Sequence, residues 1–214
     1  MHGLIDPFYD ACKPAIEPGH IWCDQPVYLP ARHGVKIARV DPQNDSNLDY
    51  KVCGRTAEIF GHAPVKSLGM ESTEGAVIAK TKRDRPVIVL GGAHASEFFP
   101  AEGRASHAEI VMVVPVYSSS QYEAQVRRRM QIYDFTNVFY LPEAPSLGFK
   151  EGFARLDHVQ AVAQAHLCKH KGMKLADEAF DALTEWLASF LAGLKPADSM
   201  IEDYRRWVID GEGG

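Results

Sequence analysis

Arg83-Asp84-Arg85-Pro86-Val87-Ile88-Val89-Leu90-Gly91-Gly92 is the stretch on which the fold turns. Pro86–Leu90 is a continuous apolar, mostly β-branched run that the two glycines are expected to end. A strand with one wet face alternates apolar and polar residues, whereas a continuous run implies burial on both faces. Ile110-Val111-Met112-Val113-Val114-Pro115-Val116-Tyr117 is a second such run. Pro115 has no N–H to give to a ladder, so this strand is expected to end, bulge or reach a sheet edge there.

Toward the N-terminus, His20–Cys23, Val27–Leu29 and Val35–Val40 read as strands, the last alternating with period two. Pro7, Pro14 and Pro18 make residues 1–18 irregular. Residues 41–75 are polar and turn-rich, and Ala76–Ala79 reads as a further strand. Toward the C-terminus, residues 118–134 form either a short helix or a long loop. Val138–Leu141 and Phe153–Val162 read as strands, with Pro142, Pro145 and Gly148 marking the loop between them.

The period then changes. Phe180, Leu183, Leu187, Phe190, Leu191 and Leu194 recur at threes and fours, which places them on one helical face. Asp177 and Glu178 suit its first turn, and Gly193 with Pro196 supplies the stop. Ser199-x-x-Glu202 reads as a capping box opening a second helix, with Ile201, Tyr204 and Val208 as its face and Gly211 as its end. The two helices are expected to cover one side of the β core. Many short strands followed by helices give an α+β class with a mostly β core, or a barrel with helical additions.

The chain has 214 residues, 46% hydrophobic and 24% charged, which is globular composition. Its net charge of −5 excludes a generally basic nucleic-acid coat, so any nucleic-acid contact must be local. No apolar run reaches the roughly 18 residues of a membrane span, and the N-terminus lacks the pattern of a secretory signal. The cysteines at 12, 23, 53 and 168 contain no CxxC pair and read as reduced thiols, which fits a cytoplasmic protein.

Phosphate-loop, dinucleotide and hydrolase-elbow motifs are absent. His166, Cys168 and His170 form an H-x-C-x-H cluster that on a strand would share one face, but the spacing matches no common zinc pattern, Lys169, Lys171 and Lys174 favour a solvated loop, and no metal is expected. Arg127-Arg128-Arg129 is either a solvated face or a phosphate contact, for which arginine's planar fork is suited. Arg85, at the mouth of a buried strand, is either ordinary surface or a site residue. Arg155-Leu156-Asp157 reads as strand, which puts Arg155 and Asp157 on one face, either as a surface ion pair or as a cleft pair acting on a phosphodiester.

Four segments in order resemble the MazF/PemK (Kid) toxins of bacterial toxin–antitoxin systems. They are Gly19-His20-Ile21-Trp22, Arg85-Pro86-Val87-Ile88-Val89-Leu90, Val113-Val114-Pro115-Val116-Tyr117-Ser118 and Gly152-Phe153-Ala154-Arg155-Leu156-Asp157-His158-Val159, followed by the helix Ala176–Leu194. The resemblance covers residues 17–30 and 83–194. It implies a small SH3-like (MazF/PemK/CcdB-type) barrel over residues 1–196, with an insertion at about 41–80 and a helical extension over 197–214. It further implies a homodimeric, metal-independent endoribonuclease without cofactor, cutting single-stranded RNA by 2′-hydroxyl attack and held by a cognate antitoxin protein.

Carried over residue by residue, Arg85, Arg155 and Asp157 take the catalytic positions. Tyr117 and Ser118 take substrate-binding ones, and Arg127 and Arg128 join them as phosphate contacts on the strength of their charge alone. Asp157 serves either as base or as the group that orients Arg155. The family's first-loop histidine has no aligned counterpart, with His33 as a candidate. Tyr117 stands where the family has threonine. A tyrosine there either donates a hydrogen bond or stacks on a base, or fills the cleft. In the latter case the chain is a catalytically inactive barrel that binds nucleic acid or protein.

Overall fold

The computed structural model describes residues 5–29, 35–39, 50–53, 76–78, 80–93, 110–194 and 200–212. In chain order the strands are β1 (Tyr9–Ala11), β2 (His20–Leu29), β3 (Val35–Arg39), β4 (Tyr50–Cys53), β5 (Ala76–Ile78), β6 (Lys80–Ala93) and β7 (Ile110–Ser118). The helix α1 (Ala124–Gln131) precedes β8 (Val138–Leu141), β9 (Gly152–Arg155), β10 (Gln160–Ala163) and β11 (Lys169–Leu175). Two helices close the chain, α2 (Asp177–Ala192) and α3 (Met200–Glu212).

The chain divides into two compact units, Met1–Val27 with Arg83–Gly214, and Tyr28–Lys82. In the second, β3 pairs antiparallel with β4 on one side and β5 on the other. The turn-rich reading of residues 41–75 thus missed β4, and most of that stretch lies outside the described residues.

The larger unit is an α+β assembly whose mostly antiparallel sheet curls into a half-barrel. Its strand order is β1-β11-β2-β6-β7-β9-β8, with β10 also on β7. The two apolar runs are neighbours, Val87 opposite Pro115 and Val89 opposite Val113. Both faces are covered, as the continuous apolarity requires. Ile88, Val114 and Val116 enter the larger core with Ile21, Phe139, Leu183 and Trp186. Val87, Val89, Val111 and Val113 enter a second cluster with Trp22, Val162 and Leu167. Each such fully buried aliphatic side chain contributes about 1.5–3 kcal/mol.

The strand end expected at Gly91-Gly92 does not fall there. β6 runs on past Gly91-Gly92 to Ala93, its register slipping between Val89 and Gly91. β7 runs through Pro115 to Ser118. Its other edge changes partner there, pairing with β10 over Ile110–Val113 and with β9 over Val116–Ser118. Pro115 falls in the interval between the two ladders, where a missing N–H costs least.

Phe153–Val162 is not one strand. β9 stops at Arg155, Leu156–His158 makes a 3-10 turn, and β10 begins at Gln160. Leu156 is driven into the larger core, which turns the chain at that point. Among the described residues 5–18 there is one short strand, β1, on the edge of β11.

α2 ends as its sequence indicates. Gly193 adopts a left-handed conformation, with its N–H on the Phe190 carbonyl and the Leu194 N–H on Ser189, the paired closure of a Schellman motif. The buried face differs from the expected one. Ala179, Ala182, Leu183 and Trp186 face the core, Phe180, Leu187 and Phe190 pack at its margin, and Leu191 is 70% exposed. Small alanines let the helix lie close to the sheet, which rotates the contact line away from Leu191 and Leu194. Ile201 and Tyr204 of α3 complete that core, so both helices cover it as expected. Ser199 lies outside the described residues, and α3 continues past Gly211 to Glu212. Among the described residues no helix is long and apolar enough to cross a membrane.

Candidate functional site

Tyr117 lies near the end of β7, where the second apolar cluster has run out. In antiparallel strands directly opposed residues share a face. Tyr117 is opposite Phe153 of β9, and extending the Val87–Pro115 pairing by two residues brings Arg85 of β6 to its other side. Contacts follow the register. The Arg85 guanidinium carbon lies 4.7 Å from the Tyr117 ring centroid, within cation–π range. The Phe153 ring stacks on Tyr117 at 5.8 Å, and Tyr122 meets Phe153 edge-on.

The Tyr117 hydroxyl is 2.7 Å from Nδ1 of His158. The imidazole Nε2 is 3.3 Å from Nη2 of Arg155. Arg155 closes a fork on Asp157, with Nε–Oδ1 at 2.7 Å and Nη2–Oδ2 at 2.5 Å. Arginine has no acceptor, so Nε2 of His158 must accept and the ring proton sits on Nδ1. His158 then donates to the Tyr117 oxygen, which leaves the phenol's own proton to be given elsewhere.

Electrostatics agree with this assignment. Burial, then the charge of Arg155, lowers the His158 pKa below its ordinary value, although Asp157 opposes them, so the ring is neutral at pH 7. Burial raises the Tyr117 pKa, against the pull of Arg85 and Arg155, and keeps it a phenol. Burial also works to raise Asp157, but the Arg155 hydrogen bonds and charge outweigh it and hold the carboxyl low. A carboxylate so held is a poor base and a good orienting group.

Beside Tyr117 opens a cleft of about 380 Å³, lined among others by Arg85, Ser118, Lys150, Glu151 and Lys171. Glu151 is committed to the protein, accepting from Ser119 Oγ at 2.6 Å, Tyr140 Oη at 2.7 Å and Gln131 Nε2 at 2.9 Å. Three cations against one internally bonded carboxylate make the cleft locally positive on a chain of net charge −5.

Of the residues singled out in the sequence, Arg85, Tyr117 and Ser118 line the cleft, and Arg155 and Asp157 join Tyr117 through His158. Asp157 reaches Arg155 from the 3-10 turn and not from a shared strand face, because β9 ends first. The three arginines of α1 diverge. Arg127 reaches Glu151 at 3.9 Å, and Arg129 bonds Asp134 at 2.6 Å. Arg128 lies near enough to lower Tyr204's pKa by its charge, though burial dominates there. None of the three lines the cleft. His33 lies outside the described residues.

His158 was missed although it directly follows Asp157, because a strand reading puts it on the opposite face from Arg155 and Asp157. Lys150, Glu151 and Lys171 carried no motif. The H-x-C-x-H face that a strand would give does not form. His166 lies in a 3-10 turn, and the Cys168 thiol is spent on the His166 carbonyl. His170 turns instead toward His20 and Cys12.

Fold and site define an α+β protein with a half-barrel sheet and, at one end of its central strands, a positively lined cleft backed by a Tyr–His–Arg–Asp chain. No family model, curated protein or solved structure gives a significant match to this chain.

Proposed function

We propose that the cleft binds single-stranded RNA and that the chain is a MazF/PemK-like endoribonuclease, its half-barrel being an SH3-like small barrel. A cognate antitoxin, a homodimeric state and a cytoplasmic location belong to the same proposal. The observation that carries it is the chain Arg85–Tyr117–His158–Arg155–Asp157 beside a cationic cleft. In-line attack by a ribose 2′-oxygen forms a P–O2′ bond and breaks P–O5′, giving a 2′,3′-cyclic phosphate and a 5′-hydroxyl. The 2′ proton passes to solvent. Tyr117, with its proton free to donate, protonates the departing 5′-oxygen, and the phenolate left behind faces the His158 N–H and the Arg85 charge. Arg85 and the lysines hold the non-bridging oxygens in a preorganised field. Asp157 orients Arg155, which fixes the His158 tautomer.

A second reading, an inactive barrel that binds RNA or protein, is favoured by two features. Asp157 is closed in the Arg155 fork, and Tyr117 is only 8% exposed. Incubation of the purified chain with single-stranded RNA of mixed sequence in EDTA separates the two. The nuclease yields cyclic-phosphate ends. Retarded but intact RNA supports the binding module, and RNA that is neither bound nor cut removes both RNA-based readings.

A further inference from the structure

Three side chains from distant parts of the sequence meet on adjoining strands away from the cleft. Cys12 follows β1, and its N–H continues the ladder onto the Gly172 carbonyl at 3.0 Å. His20 opens β2, and His170 lies on β11, the strand between β1 and β2. Nδ1 of His20 is 3.0 Å from Nε2 of His170 and 3.6 Å from the Cys12 sulfur, and all three atoms lie within 4.8 Å of one another. None of the three residues lines the cleft.

Hydrogen bonding alone does not satisfy this cluster. The Gly172 N–H donates to Nδ1 of His170 at 2.9 Å, so the neutral ring carries its proton on Nε2. That proton points at Nδ1 of His20, whose single in-plane lone pair is approached by the Cys12 thiol as well. One lone pair serves one donor well, so with the His170 proton on it the thiol at 3.6 Å finds no acceptor in His20, and His20 itself is 4% exposed.

A cation among the three atoms resolves the conflict. Tetrahedral zinc, with bonds of about 2.0–2.1 Å to nitrogen and about 2.3 Å to sulfur, holds neighbouring ligand atoms about 3.3–3.6 Å apart. The spacings of 3.0 and 3.6 Å are already close to this. The second shell fits too. The other nitrogen of His20, Nε2, faces the Glu17 carboxylate at 3.8 Å, the outer partner that metal-bound histidines commonly have.

We propose that Cys12, His20 and His170 form a binding site for a zinc-class divalent ion, with Glu17 as the group that orients His20 and the fourth position left to water. Borderline ions with affinity for imidazole and thiolate, of which zinc is the type, suit this donor set. Binding releases the Cys12 proton to solvent and moves the His170 proton from Nε2 to Nδ1. The Gly172 N–H must then turn away. It lies where β11 bulges, on a glycine at φ +80 with nothing within 4 Å of the place a Cβ would occupy. The ion ties the short edge strand β1 to β11 and β2. It plays no part in the RNA chemistry proposed for the cleft, so either proposal can fail alone.

The test is titration of the metal-stripped full chain with Co²⁺, followed by displacement with Zn²⁺. One equivalent of Co²⁺ is expected to give ligand-field bands of tetrahedral intensity with a thiolate charge-transfer band, both lost on adding Zn²⁺. Cys12→Ser should abolish the charge-transfer band, and His170→Gln should weaken binding at least tenfold. Both positions are only part-buried, and retained far-UV circular dichroism checks their folding. His166→Gln with Cys168→Ser should change nothing. The proposal is overturned if the native chain binds no stoichiometric Co²⁺ or Zn²⁺. It is overturned equally if the band survives Cys12→Ser, or if it disappears with Cys168→Ser instead. Should both site variants fail to fold, Glu17→Gln on the native background decides: weaker binding supports the site and unchanged binding overturns it.

Discussion

Tyr117 and His158 share a 2.7 Å hydrogen bond in which the histidine is the donor, because Arg155 occupies the imidazole's other nitrogen. The direction of that bond leaves the tyrosine's own proton free to be donated. Removing the hydroxyl therefore separates two roles. Tyr117→Phe keeps the ring between Arg85 and Phe153 but strands the His158 N–H. It should cost about 1 kcal/mol of stability. It should cost about 10²–10⁴-fold in cleavage if the phenol is the general acid. Urea denaturation measures the first and single-turnover RNA cleavage the second. Unchanged cleavage in a folded Tyr117→Phe protein removes Tyr117 from the mechanism.

Arg85 lies over the same ring from the opposite side of β7. Arg85→Ala loses the cation–π contact, about 0.5–1 kcal/mol at a part-exposed site, so the fold should survive. Loss of one preorganised donor should lower cleavage by about 10²–10³. Arg85→Lys should recover only part of this, since an ammonium keeps the charge but not the planar fork. Full activity in a folded Arg85→Ala protein would falsify the clamp assignment.

The histidine also sets a pH dependence. The groups that face His158 are Arg155, Asp157 and Tyr117, and burial with Arg155 puts its folded pKa below the unfolded value. The unfolded chain then binds more protons in that interval, so stability rises with pH there. The contribution is fully present above the unfolded pKa of about 6.5 and is lost as pH falls from there toward the lower folded pKa. Asp157, held low, keeps its own contribution until pH falls below the ordinary carboxylate range. Urea midpoints between pH 7.5 and 5 should drop on acidification, and the drop should be shallower in His158→Asn. Parallel curves for the two proteins would mean that His158 titrates alike folded and unfolded.

Much of this arrangement was legible because it rests on short-range pattern. The continuous runs at Val87 and Val111 announced a sheet buried on both faces, and Gly193 announced the end of α2. What escaped depends on contacts distant in sequence. Whether Pro115 ends its strand is decided by β9 and β10, which share its edge on either side of it. The chain turns at Leu156 because a core built from other elements accepts that side chain, and the turn is what aims His158 at Tyr117. Cys12 and His170 lie 158 positions apart in sequence, so their cluster with His20 has no local signature, while the H-x-C-x-H run that has one does not assemble.

Gly152 ties the site to the sheet. It pairs with Ser118, and a Cβ built on it would sit 2.6 Å from the Tyr117 carbonyl oxygen and 3.5 Å from Val116 Cγ1. A backbone oxygen in a ladder cannot swing aside as a side chain can, so Gly152→Ala must push β9 from β7. Overpacking of this kind costs about 1–3 kcal/mol, and it displaces the strand that carries Phe153 and Arg155. Gly91→Ala is the matched control. Nothing lies within 4 Å of its Cβ and its φ is not in the left-handed region, so reduced freedom of the unfolded chain should leave it neutral or about 0.4–1 kcal/mol more stable. Urea unfolding should therefore show Gly152→Ala destabilised and Gly91→Ala not, with cleavage lost only in Gly152→Ala. Equal stability of the two would mean that β7 and β9 have room to part, and the close approach that sets Tyr117 against Phe153 would no longer account for the geometry of the site.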